Sequence, residues 1–213
     1  GEEHNVKLAA SSVKGIVIPP NGVFSQNRLI GPFTMERGYE IGTSFAGPNL
    51  VKTEGGGVCK IATTLYNVAV LCDLEIIERH YHSMPVNYVP YGQDATVAYG
   101  HKDFQFKNNK DFPILIWSEL IGDRLYIGLY GQEKAPQVEW VHNIISTTEY
   151  PTYYRKNPQL KQGEKKVVIK GIDGATVESK VIIKYENGEI KTKNLGISSY
   201  HPLPEIIEIG KEG

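Results

Sequence analysis

The chain has 213 residues, of which 40% are hydrophobic and 22% charged, the composition of a globular protein long enough for one large domain or two small ones. A net charge of −1 gives no basis for a nucleic-acid partner or an anionic membrane surface, and no apolar run approaches the ~20 residues needed to cross a bilayer. No signal peptide is visible; the abrupt opening Gly1-Glu2-Glu3-His4 is read as a trimmed start, with a signal or membrane anchor upstream.

Thirteen Tyr, 22 Gly and 12 Pro predict a turn-rich, β-rich protein. Residues 1–14 begin polar and read as a loose lead-in. Gly15-Ile16-Val17-Ile18 predicts a strand, stopped by the turn Pro19-Pro20-Asn21-Gly22. Thr34 to Arg37 predicts a helical turn ended by Gly38. Residues 39–53, with Gly42, Gly47 and Pro48, read as irregular. From Cys59 to about Leu71 the apolar residues Ile61, Ala62, Leu65, Val68, Ala69 and Leu71 recur at spacings of three and four, which predicts a helix buried on more than one side.

Glu75 to His82 reads as a strand, as do Ala95–Tyr99 and Asp103–Lys107. Residues 113–120 and 124–131 predict a hairpin around Gly122-Asp123. The first part is therefore α+β, with a central helix packed on an antiparallel sheet. Lys134-Ala135-Pro136 marks a boundary between domains at 13–133 and 138–213. Beyond it the helical pattern vanishes. Residues 164–170 and 175–185 alternate around Gly171 to Gly174, and Asn187-Gly188 adds a second hairpin turn, so the second part reads as a small, elongated all-β domain.

The chemistry concentrates in Glu54-Gly55-Gly56-Gly57-Val58-Cys59, a glycine run that delivers a cysteine to a helix start. Glycine permits close backbone approach, and the positive end of the helix dipole favours thiolate. The bland alternative is a tight turn with a buried, inert thiol. On one helix Cys59 and Cys72 would sit ~20 Å apart, against the ~7 Å limit for a disulfide, so no bridge is expected. Cys72 is expected to pack in the core.

Gly22-Val23-Phe24-Ser25, Gly31-Pro32, Glu36-Arg37-Gly38-Tyr39, the Gly55–Cys59 stretch with Thr63-Thr64-Leu65-Tyr66-Asn67, Glu78-Arg79-His80-Tyr81-His82-Ser83 and Asp94-Ala95-Thr96-Val97 resemble the VanW family, named after an accessory product of vancomycin-resistance clusters. The resemblance covers roughly residues 13–132. Residues ~139–212, with Gly163, Gly171, Gly174, Asn187-Gly188, Pro202, Pro204 and Gly210, resemble a G5 domain. The tandem implies an exported Gram-positive cell-envelope protein, with peptidoglycan or another cell-wall amino-sugar polymer as partner. It hands over no mechanism.

The residues themselves offer three readings. In the first, Cys59 is a nucleophile, His80 or His82 its base, Asp94 the orienting acid, and the backbone N–H groups of the Gly55, Gly56, Gly57, Val58 turn up to Cys59 an oxyanion hole. The order cysteine on a helix, then histidine and a polar residue on strands, resembles that of papain-like and NlpC/P60-type folds. On a strand His80 and His82 share a face. Arg37 and Arg79 would bind a substrate carboxylate, and no cofactor is needed. In the second, Cys59, His80 and His82 form a zinc site with an open position. In the third, the Gly-Cys turn lines a non-catalytic groove for glycan or peptide. Asp94 then serves as a turn residue, and Tyr150, Tyr153 and Tyr154 either stack on sugars or pack at a domain junction.

Overall fold

The computed structural model describes residues 1–46 and 49–210. The expected irregularity at Gly47-Pro48 and residues 211–213 of the second domain lie outside the described residues. The chain opens with α1 (Glu2–Val13), whose Val6, Ala9, Ala10 and Val13 form one buried stripe. The expected loose lead-in is thus a packed helix: small apolar residues at spacings of three and four follow the polar start. Two short strands follow, β1 (Val17–Ile18) and β2 (Val23–Ser25), then α2 (Gln26–Ile30) and a 3-10 turn at Met35–Arg37 closed by Gly38 at φ 88°.

Strands β3 (Ile41–Ala46) and β4 (Asn49–Glu54) pair antiparallel. The stretch expected to be irregular is therefore a hairpin, fixed by backbone pairing rather than by an apolar alternation that sequence could display. Next comes α3 (Cys59–Leu71). Then follow β5 (Glu75–Glu78), β6 (Gln105–Lys107), β7 (Ile114–Ile121) and β8 (Arg124–Tyr130). β5 ends at Glu78, so His80 and His82 are not on a strand, and Ala95–Tyr99 contributes only the bridge from Ala98 to Lys102. The two segments share the bond from Thr96 N–H to the His80 carbonyl, while the His82 and Ala95 N–H groups donate to the Asp94 and Thr63 side chains instead of to a strand partner.

The C-terminal part contains β9 (Gln137–Thr148), β10 (Thr152–Lys156), β11 (Lys165–Ile169), β12 (Gly174–Lys184), β13 (Ile190–Tyr200) and β14 (Glu205–Ile209). It is all β, and the chain as a whole is mostly sheet with few helices. The sheets run β1-β7-β8, β2-β6-β5, β3-β4, β13-β12-β9 and β10-β14-β11. β12 and β13 form the expected hairpin around Gly188. The expected pairing of residues 164–170 with 175–185 does not occur: β11 pairs with β14, while β12 sits between β9 and β13.

Helix α3 is enclosed by α1, β5, β8 and β9 rather than laid on one antiparallel sheet. Its Ile61, Ala62, Leu65 and Ala69 are fully buried. Val181 and Ile183 of β12 belong to this same core, and Trp140 of β9 meets Tyr66 edge-on at 5.8 Å. The two parts thus share a continuous apolar interior.

The glycine run before α3 is dictated by space. Gly55 (φ 68°) and Gly57 (φ 105°) hold left-handed backbone, and Gly56 lies against the backbone of Gly42, where a Cβ would meet the Gly42 carbonyl carbon at 2.4 Å. Buried Asn5 of α1 ties this turn to the chain by donating to the Gly56 and Glu40 carbonyls and accepting from the Glu40 N–H. Gly56→Ala is expected to destabilise the fold by about 1–3 kcal/mol through overpacking. Denaturant unfolding checks this, and an unchanged midpoint would contradict the close approach.

Candidate functional site

The site is built on one face of α3. Cys59 is its first residue, where helix N–H groups have no intrahelical acceptor and the dipole end is positive. One turn later Thr63 Oγ1 donates to the Ala95 carbonyl and accepts from the Ala95 N–H, both at 3.0 Å. A further turn on, Asn67 donates to the Gln93 carbonyl at 2.7 Å. Polar residues at intervals of four thereby pin segment 93–96 along the helix. Thr96 N–H donates to the His80 carbonyl at 2.8 Å, which lays residues 80–82 alongside.

This arrangement places His82 between Asp94 and Cys59. Asp94 Oδ2 lies 2.6 Å from His82 Nδ1 and accepts from the His82 backbone N–H at 2.7 Å. His82 also hydrogen-bonds the Cys59 side chain. The sulfur also lies 3.3 Å from Thr96 Oγ1 and 3.7 Å from the Val97 carbonyl. The order is therefore thiol, imidazole, carboxylate, the geometry of an activated nucleophile.

Electrostatics follow from these contacts. Burial pushes the Cys59 thiol up, but the hydrogen bond and charge of His82 outweigh it and bring the thiol below its ordinary value. Burial pulls His82 down, yet hydrogen bonds from Asp94 and Cys59 raise it to about 9. Asp94 is nearly inaccessible, which alone would raise it; its bond to His82 and the charge of Arg79 hold it below the usual carboxylate range. Both shifts favour the charge-separated form, thiolate beside imidazolium.

Among the residues singled out from sequence, Cys59, His82 and Asp94 come together and His80 does not. His80 Nε2 turns to Glu78 Oε1 at 2.8 Å, because without a strand the two histidines share no face. The zinc set of Cys59, His80 and His82 is accordingly not assembled, and no cluster of three or more ligating side chains placed to hold a metal occurs among the described residues. Arg79 is not open to a substrate: Nε donates to the Asp94 carbonyl, Nη2 to Asp94 Oδ1 and Nη1 to Ser198 Oγ. Arg37 donates to the Gly31 carbonyl, apart from the site. In the glycine turn the Gly55, Gly56 and Val58 N–H groups donate to the Glu40, Thr53 and Gly55 carbonyls, so of the expected oxyanion donors these three are not available. Cys59 and Cys72 are both free thiols; Cys72 packs against the core, as expected, and burial raises it.

Sequence alone gives Thr63, Asn67, Thr96, Ser198 and Tyr200 no role in the site. The four-residue spacing of Cys59, Thr63 and Asn67 is a readable signal for the first two. Ser198 and Tyr200 approach from more than a hundred residues away and carry none.

The Cys59 sulfur opens into a pocket of about 90 Å³ lined by Gly57, Lys60, His82, Tyr88 and Thr96. It shares Glu2, Thr43, Ser44, Lys60 and Tyr88 with the lining of a cleft of about 630 Å³, which Val168 to Ile172 and Leu203 also line. The cleft thus lies between the two parts of the chain.

The chain belongs to the VanW family: the family described as VanW like protein matches residues 1–130, and the G5 domain family matches residues 142–212. Its relatives include the uncharacterised protein YoaR of Bacillus subtilis (strain 168), 37% identical over 130 residues, covering 61% of this chain and 43% of YoaR. The Vancomycin B-type resistance protein VanW of Enterococcus faecalis (strain ATCC 700802 / V583) is 29% identical over 174 residues, covering 75% of this chain and 63% of that protein. The chain therefore spans less than two thirds of the length of either. Among solved structures, the IgA1 protease G5 domain aligns at TM-score 0.24 and 23% identity, covering 38% of this chain and 96% of that one. The HP0197-G5 crystal structure aligns at TM-score 0.19 and 16% identity, covering 37% and 100%.

The coupled pair makes a prediction about pH. An ion pair in which Cys59 has given its proton to His82 holds one proton, as do the unfolded thiol and neutral imidazole between their ordinary values of 6.5 and 9.0. Such a pair leaves stability flat across this window. In Cys59→Ala the elevated His82 has no thiolate to balance it. The part of its elevation that Asp94 supplies remains, and the stability it gives is complete below 6.5 and is lost as pH rises above that value. The difference in urea midpoint between parent and Cys59→Ala is expected to widen from pH 6.5 to 9; a constant difference would contradict the ion pair.

Proposed function

We propose that this chain is an exported cell-envelope protein whose N-terminal module cleaves or exchanges peptide bonds of peptidoglycan stem peptides through Cys59. The observation that carries this reading is the Cys59–His82–Asp94 sequence of contacts at the mouth of a cleft. The thiolate attacks the amide carbonyl carbon and the C=O π pair moves to oxygen. The Cys59 N–H at the helix start is suited to receive that oxyanion. The tetrahedral intermediate collapses, the C–N bond breaks, and His82 gives its proton to the leaving amine. The resulting thioester is resolved by water, giving hydrolysis, or by a second amine, giving exchange. In either case His82 takes the proton of the attacking group.

The C-terminal module binds the wall glycan. Tyr153 and Tyr154 of β10 are more than half exposed rather than packed at a junction, and offer faces for sugar stacking. Their exposure, and the second module's share of the cleft wall, support one polymer contacting both modules. No helix among the described residues is long and apolar enough to cross a membrane.

Muropeptides incubated with the protein and followed by mass spectrometry should yield cleaved or cross-linked products. Cys59→Ala should abolish them, His82→Gln should slow them by roughly 10²–10⁴-fold, and His80→Gln should leave them unchanged. Turnover surviving in Cys59→Ala would exclude the nucleophile. Binding to purified sacculi should persist in Cys59→Ala and weaken in Tyr153→Ala/Tyr154→Ala.

A further inference from the structure

Ser198 and Tyr200 alternate on β13 with exposed Ser199, so their side chains leave the same face of the strand, toward the N-terminal module. There the Tyr200 hydroxyl donates to Asp94 Oδ1 at 2.5 Å and accepts from the Gly92 N–H at 2.8 Å. Its ring packs against Tyr81 and Tyr91, each at 5.6 Å between centroids. Ser198 Oγ accepts from Arg79 Nη1 at 2.7 Å, while Arg79 Nη2 donates to the same Asp94 Oδ1 at 3.0 Å. The two oxygens of Asp94 are thereby divided: Oδ2 serves His82, and Oδ1 is held by a hydroxyl from the second module and by a guanidinium which that module braces.

We propose that Tyr200 is a positioning residue for the reaction centre, and that the G5-like module is a structural part of the site as well as a binding module. The Tyr200 hydroxyl, with Ser198 behind Arg79, fixes the plane of the Asp94 carboxylate and so aligns the His82 ring on Cys59. The inference rests on the Cys59–His82 reading of the site for its catalytic consequence, but its geometric content stands apart from turnover. A carboxylate whose Oδ1 loses one of its two donors gains freedom to rotate about its Cα–Cβ and Cβ–Cγ bonds, and the imidazole it orients rotates with it. Misplacement of this order costs a reaction far more than it costs the fold. No other described residue combines a donor on the catalytic carboxylate with a backbone address beyond residue 137.

The test uses the full chain and three variants. Tyr200→Phe removes only the hydroxyl. Ser198→Ala releases only Arg79 Nη1. Ser199→Ala, whose hydroxyl faces Thr176 on the other side of the sheet, is the control. The readouts are the downfield Nδ1 proton of His82 in low-temperature NMR, assigned by its loss in His82→Gln, and kcat and KM on muropeptides.

In Tyr200→Phe the proton signal should move upfield and broaden through exchange with water, and kcat should fall about 10- to 100-fold with KM unchanged. Ser198→Ala should show the same change to a lesser degree, and it carries the test if Tyr200→Phe fails to fold. Ser199→Ala should match the parent. A signal that superimposes on the parent in both Tyr200→Phe and Ser198→Ala would overturn the inference, as would its absence from the parent. A signal that broadens as expected, in a protein that turns over no muropeptide, upholds the clamp and refutes the enzymatic reading alone.

Discussion

The structure depends on how one carboxylate is held. Asp94 is buried at the seam between the two modules, where an isolated charge would cost several kcal/mol. It is tolerated because four donors converge on it: the His82 backbone and ring, Arg79 and Tyr200. Three of the donors come from residues 79–82 and the fourth from Tyr200 of the second module, so satisfying the charge requires the modules to meet in one register. The same requirement brings Val181, Ile183 and Trp140 onto the core around α3. Polar and apolar demands agree here, which is the condition for a single docked arrangement.

The cysteine is prepared from the opposite side. Space explains the glycines: left-handed backbone at Gly55 and Gly57 and contact of Gly56 with Gly42 leave no room for side chains. The turn lets α3 begin at Cys59, and the helix then repeats a polar residue every fourth position to tie down segment 93–96. The thiol, the imidazole and the acid are thus referenced to one rigid element. Lys60 and Glu2, ion-paired at the cleft edge, line both the small pocket beside Cys59 and the cleft.

Sequence made much of this visible. The spacing of Ile61, Ala62, Leu65 and Ala69 announces α3, and Asn187-Gly188 announces the long hairpin. The glycine run points to the cysteine, and both families can be read from their motifs. What failed did so for identifiable reasons. The α1 stripe of Val6, Ala9, Ala10 and Val13 is made of small residues behind a polar start. Alternation around His80 and His82 suggested a strand, but hydrogen bonds to side chains replace the ladder there, and that separated the two histidines. Arg79 looked like a ligand for substrate because nothing local reveals that Ser198 lies across from it. Pairing between β11 and β14, and the approach of Tyr200 to Asp94, are long-range facts with no local code.

The central claim is that Cys59 is a thiolate because His82, oriented by Asp94, is an imidazolium beside it. The most direct measurement is the rate of Cys59 alkylation by iodoacetamide as a function of pH, in a Cys72→Ser background so that one thiol reports. The account predicts a midpoint below the ordinary cysteine value of 9.0, moving above it in His82→Gln, where burial acts unopposed. A midpoint at or above 9.0 that His82→Gln leaves in place would contradict it.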